Sequence, residues 1–275
     1  MKRLLLIAVL LISALSAKAQ QGIGKDIEFI DYLIGNNLTR DALAWIDGKN
    51  YAPSDTLDFL KGLTLYTANK LDLAADSFAK VPVNSPYYEQ SLFFGAVSQA
   101  YLGNYGEGFK LIQSTSDSEL KQYEIAAFSL LLNDRQAYEK AAQNFTYTDY
   151  SLTEGENIFG KIYESRYNER QKSPVLAGLM SAVIPGAGKF YAGRKDEGIA
   201  SFFTVGIFAG LTAECWIKKG PKDWRTIVFG TLGSLFYIGN IYGSYMSVGI
   251  YNDNLRDAQN STIVFNLHVP IRNLQ

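Results

Sequence analysis

A lysine beside closely spaced glycines can sit in a loop that cradles a phosphate, and Gly186, Gly188 and Lys189 invite that comparison. The spacing fails it. Tyr191 stands where a dinucleotide fingerprint needs a glycine, Val183 stands where a P-loop needs its first glycine, and Phe190 follows the lysine. His268 is the only histidine, which removes multi-histidine metal sites and leaves no workable Ser-His-Asp set. The acid pairs Asp196/Glu197 and Glu154/Glu156 read as solvated loop charges. Glu214 and Asn240 lie in apolar stretches, where ionisable and polar groups are costly and often functional. Glu214 is near enough to Lys218 and Lys219 to act as an interfacial charge that snorkels instead. Cys215 is the single cysteine, so it has no intrachain disulfide partner, and its apolar surroundings favour a small buried hydrophobe. These residues predict a protein that is not an enzyme and takes no cofactor and no metal.

The elements that must position these residues meet at Pro185 to Gly198, a Gly- and Pro-rich stretch with Phe190 and Tyr191 suited to a headgroup interface. Ahead of it, Met1 to Arg3, the apolar run Leu4 to Leu15 and Ala17-Lys-Ala19 predict a signal peptide over residues 1–19. Residues 20–172 then carry 14 Lys/Arg against 21 Asp/Glu, a net −7. That sign argues against nucleic acid as a partner.

The same region shows apolar residues at three-to-four spacing and predicts helices. Asn69 to Phe78 aligns with Gly103 to Ile112, 34 residues further on. This is the tetratricopeptide period. Gly62, Ala74, Phe78 and Pro86 follow the small, small, aromatic, proline order of that repeat; Ala96 and Gly108 keep the small positions of the next unit, with Ile112 in place of its aromatic. The fold class predicted is all-α, a tetratricopeptide-like array of about four helix pairs closed by a helix over 153–171. Such arrays bind partners along their first helices, where Phe59, Tyr66, Phe93 and Tyr101 would line a groove for an unknown protein or peptide partner. The same aromatics fit inter-repeat packing equally well.

Residues 173–275 carry 9 Lys/Arg against 6 Asp/Glu, and the runs 198–216 and 226–250 are each long enough to span a membrane as a helix. The loop 217–225 holds four basic residues and one acid, which by the positive-inside rule faces the cytoplasm. The repeats and the carboxyl terminus would then lie in the periplasm, outside a bacterial inner membrane. Residues 174–188 are short for a span and read as a surface-lying or re-entrant helix, with a full crossing as the alternative. Gly206/Gly210 and Gly239/Gly243 form two Gly-x-x-x-Gly pairs, which predict close hairpin packing or a homo-oligomer.

Pro185, Gly186, Gly188, Tyr191, Gly193, Arg194 and Gly198, leading into a helical hairpin, resemble the signature of the two-transmembrane-helix hairpin domain family. The resemblance covers roughly 174–252. It implies residence among membrane lipid and a conformational role for the glycines, and it implies no chemistry. Joined to tetratricopeptide-like repeats, the chain is similar to bacterial envelope proteins of unknown function. The tail 253–275 contains a branched, weakly alternating run, Ser261 to Ile271, that reads either as one short β-strand or as a disordered end. The function expected is a membrane-anchored scaffold that binds a protein through its repeats. The alternative is a hairpin that assists insertion, transport or sensing in the bilayer, regulated by the repeats.

Overall fold

The computed structural model describes residues 24–49 and 51–274. The signal peptide expected over 1–19 lies outside the described residues. The fold is all-α, and no strand occurs among the described residues. The chain divides into two units, Met1–Lys161 with Thr262–Gln275, and Ile162–Ser261.

In the first unit, α1 (24–35) pairs with α2 (Thr39–Gly48), α3 (Asp55–Thr67) with α4 (Leu71–Phe78), α5 (Tyr88–Tyr101) with α6 (Tyr105–Gln113), and α7 (Glu119–Leu131) with α8 (Arg135–Ala142). A further helix, α9 (Tyr150–Tyr163), follows. The four turns inside the pairs share one geometry. Asn37, Asn69, Gly103 and Asn133 each adopt φ between 57° and 80°, the left-handed region open to Asn and Gly at a helix end. The residue after each (Leu38, Lys70, Asn104, Asp134) donates its N–H five residues back, to Leu33, Leu65, Gln99 and Ser129, at 2.8–2.9 Å. This Schellman closure satisfies carbonyls that a helix end would otherwise leave bare.

Small residues set how closely the helices approach. A Cβ on Gly62 would stand 2.5 Å from the Phe78 ring, and one on Gly108 would stand 2.5 Å from Phe128 and 2.9 Å from the Ala96 carbonyl oxygen. Ala74 and Ala96 are fully buried beside them. Phe128, 34 residues after Phe94, packs on Gly108 from the following pair, and Ile112 is fully buried.

The second unit contains a π-turn (Glu164–Asn168), α10 (Pro174–Val183), α11 (Ala187–Tyr191), α12 (Lys195–Lys219) and most of α13 (Trp224–Ile271). By length and composition α12 is the one described helix able to cross a membrane; its 25 residues reach about 37 Å. The α13 stretch 226–250 is diluted by Asn240, three serines and several tyrosines and glycines. Ten residues give α10 a length of only about 15 Å, half a hydrocarbon core.

The strand or disordered end expected at 261–271 is instead the last part of α13. Ile263, Val264, Leu267 and Ile271 recur at helical spacing and are buried, which overrides the weak alternation and the branched side chains.

Candidate functional site: a helix-receiving groove and a glycine clasp

Within the first unit the end of α13 is held by α3 and α7, the first helices of their pairs. Pro270 has no N–H, so the Asn266 carbonyl four residues earlier loses its helical donor. The Tyr123 hydroxyl, on α7, takes that place and donates to it at 3.0 Å. Gly155 of α9 makes room for this hydroxyl, since a Cβ there would collide with it. The Tyr123 ring also lies 4.9 Å from that of Phe159.

A second polar contact joins α3 to the tail, with Tyr66 Oη 2.5 Å from His268 Nδ1. Arg272 Nε donates to His268 Nε2 at 3.1 Å. A guanidinium can only donate, so Nε2 is the acceptor and the neutral ring carries its proton on Nδ1, facing Tyr66. Burial lowers the His268 pKa, and the Arg272 charge lowers it further, both keeping the ring neutral. A cavity of about 470 Å³ lies here, walled by Ile34, Leu71, Tyr66, Tyr101, His268 and Arg272 among others.

Of the aromatics expected to line a partner groove, Phe59 and Phe93 are core residues, 4% and 5% exposed. Phe59 packs on Tyr87 at 4.9 Å and on Phe78 and Phe94. Tyr66 is buried against Phe94 and the tail, and only Tyr101, 43% exposed, presents a substantial face. Sequence reasoning missed Tyr123 and Glu124. Glu124 on α7 is fully buried, neither carboxyl oxygen has a hydrogen-bond partner among the described residues, and burial pushes its pKa well above the usual carboxylate range. Burial raises the Tyr66 and Tyr123 pKa values, and a charge on Glu124 would raise them further. A signal for Glu124 existed in the sequence, as an acid among the apolar positions of a helix.

In the second unit the Gly-rich motif is a clasp around α10. Pro185 ends α10 and leaves the Ser181 carbonyl without its helical donor; Asn240 Nδ2 supplies one at 3.2 Å. The same side chain accepts the Gly186 N–H on Oδ1 at 2.9 Å, and the Tyr237 hydroxyl donates to the Ala182 carbonyl at 2.7 Å. Ser181 Oγ accepts the Gly188 N–H at 2.8 Å and lies 2.7 Å from Ser244 Oγ. A helix end with no access to water must have its carbonyls and N–H groups satisfied in this way.

Gly186 has φ 87°, and a Cβ on it would stand 2.1 Å from the Gly198 carbonyl oxygen; one on Gly188 would stand 2.0 Å from that of Ala177. Gly198 in turn borders the Phe190 ring. Tyr191 accepts the Ser173 N–H at the start of α10, Gly193 turns the chain with φ 88°, and Arg194 pairs with Glu197. Each residue of the motif thus has a packing or hydrogen-bonding role.

Glu214 is exposed and paired with Lys218 at 2.6 Å. The Gly-x-x-x-Gly pairs do not make the hairpin contact expected of them. A Cβ on Gly206, Gly210 or Gly239 would meet nothing within 4 Å, and one on Gly243 would meet only the Lys189 side chain. The approach of α12 to α13 occurs at Gly230 and Gly233, beside Thr212 and Phe208, with Phe208 stacked on Phe236 at 5.0 Å. Bulk on the facing helix decides which glycines are used, and Gly spacing alone does not encode it.

No protein-family model, curated protein or solved structure matches the chain. The resemblances drawn from sequence therefore rest on the repeat-like packing and on the geometry of the Gly-rich turn.

Proposed function

We propose that this protein is a non-enzymatic, membrane-anchored scaffold whose repeats bind a helical segment of a protein partner. One observation carries the reading: the face of α3 and α7 already receives an apolar helix, the tail, through buried side chains and two tyrosine contacts. A surface that seats one helix with its polar groups satisfied is competent to seat another of similar shape. The anchor in this reading is α12 with the 226–250 stretch of α13 as a two-span hairpin, α10 lying re-entrant beside it. The basic 217–225 loop is cytoplasmic and the repeats periplasmic, on the inner membrane of a bacterium. Gly206 and Gly210 on α12, one turn apart with open space beside them, leave a place where a second copy can pack.

The alternative, a bilayer activity, drew on Glu214 and Asn240. The ion pair at Glu214 and the structural role of Asn240, which bonds the backbone at Ser181 and Gly186, favour the scaffold. Photo-crosslinking in cells from Tyr101, with Glu214 as the membrane-side comparator, tests the choice. A discrete protein adduct from Tyr101 is expected. Adducts from Glu214 alone, with the folded protein silent at Tyr101, would overturn the scaffold reading. Topology is checked by labelling Lys222→Cys and Ser261→Cys in a Cys215→Ser chain, with position 261 expected to react from outside and position 222 shielded.

A further inference from the structure

A buried hydroxyl hydrogen that nothing accepts is a hydrogen bond left unmade, and Tyr66 holds one. The bonds around His268 run in one direction. Arg272 Nε donates to His268 Nε2, which puts the ring proton on Nδ1, and that proton goes to Tyr66 Oη. The phenol oxygen is the acceptor in this contact, so its own hydrogen needs a further acceptor. Tyr66 is 7% exposed, and its hydroxyl has no second hydrogen bond among the described residues. Tyr66, Tyr101, His268 and Arg272 all border the 470 Å³ cavity, whose size is usual for a small-molecule site. The Tyr101 hydroxyl has no partner among the described residues, and the two terminal amino groups of Arg272 enter no hydrogen bond or ion pair there. Three donor groups thus border one space with no acceptor between them. No aspartate or glutamate lines it, although residues 20–172 carry a net −7, and Ile34 and Leu71 give it an apolar wall.

We propose that this cavity binds a small amphipathic carboxylate, which accepts hydrogen bonds from Arg272, Tyr66 and Tyr101 and thereby locks the tail against the repeats. A carboxylate fits the donors because its two oxygens match the planar, end-on pair of guanidinium amino groups and keep lone pairs for both phenols. An apolar body of a few carbons fits the wall of Ile34 and Leu71. The locking follows from where the parts come from. Arg272 and His268 belong to the tail, whereas Tyr66 ends α3 and Tyr101 ends α5, so the site is whole only while the tail is docked. A ligand that binds the docked form alone must stabilise it by mass action. The proposal does not depend on the scaffold reading.

The test uses the full chain in detergent micelles with Cys215→Ser and Val264→Cys, so that a thiol buried with the tail reacts with a maleimide only when the tail opens. The probes are acetate, hexanoate, 3-phenylpropionate, the neutral amides of the last two, and phenyl phosphate, with binding measured by titration calorimetry in the same detergent. Hexanoate or 3-phenylpropionate is expected to bind and, at about ten times its dissociation constant, to slow the maleimide reaction about tenfold. Acetate and the amides are expected to do neither at that concentration. Arg272→Gln should erase both effects. If that variant already undocks the tail, seen as fast reaction without any probe, Tyr101→Phe decides, because it removes a hydroxyl with no partner among the described residues; it should weaken binding severalfold. Acids and amides acting alike, an effect that survives the deciding substitution, binding of phenyl phosphate alone, or failure of every carboxylate to bind overturns the proposal. Binding with no slowing of the maleimide reaction overturns the lock.

Discussion

Replacing Tyr123 by Phe removes one oxygen from the groove and leaves the ring on Phe159, so its cost measures a single hydrogen bond. The acceptor is the Asn266 carbonyl, buried and deprived of its helical donor by Pro270. A buried acceptor left unpaired costs about 1–3 kcal/mol, so tail docking should weaken by that amount in Tyr123→Phe. The partner substitution sets the control. Pro270→Ala returns an N–H to the position four residues after Asn266, and in that background the carbonyl no longer depends on the tyrosine. The cost of Tyr123→Phe should then shrink to under about 0.5 kcal/mol, a coupling of roughly 1–2 kcal/mol across the double-mutant cycle. Chemical denaturation followed by circular dichroism gives the four stabilities, and maleimide reaction at Val264→Cys with Cys215→Ser reads tail undocking directly. An equal cost of Tyr123→Phe in both backgrounds would refute the argument that the tyrosine substitutes for the proline's missing donor.

Two opposed pH effects are expected on the first unit. His268 has a pKa lowered on folding, so its unfolded form binds more protons, and docking should be intact above the ordinary histidine value of about 6.5 and weaken as pH falls through it. Glu124 has a raised pKa, so the stability tied to its neutral form is present at low pH and lost as pH rises from the ordinary carboxylate range through the folded value; Glu124→Gln should flatten that loss in melting curves. In the second unit Gly188→Ala should abolish folding of the clasp, whereas Gly206→Ala, which meets open space, should leave the melting temperature in detergent unchanged. Asn240→Leu strips partners from the Gly186 N–H and the Ser181 carbonyl and should cost about 2–5 kcal/mol, read as faster proteolysis near 185; a stable variant would show that the clasp does not depend on this amide.

Much of the repeat fold was legible because its signals are local. The turn residues Asn69 and Gly103 are set by what the backbone demands at a helix end, and Gly62 with Phe78, or Ala96 with Gly108, by the distance between two neighbouring helices. The Gly-rich turn was legible for the same reason, since Gly186 and Gly188 touch backbone within a dozen residues of themselves. The groove residues were harder. Phe59, Phe93 and Tyr101 share a periodicity, and periodicity places residues on a helix face without saying whether a following repeat covers it. Here two are covered and one is left open.

The sequence by itself determined an all-α chain, a near-34-residue repeat, a turn built from Pro185 to Gly198 and an apolar helix long enough to span a bilayer, because each depends on dihedral preference, helical period or length. Only the tertiary structure decided what Ser261 to Ile271 becomes. Weak alternation and branched side chains left a strand or a disordered end open, yet the stretch is helical because its apolar face is buried against the repeats and Tyr123 replaces the N–H that Pro270 lacks. That donor sits 143 residues away in the chain, a separation no local pattern can register.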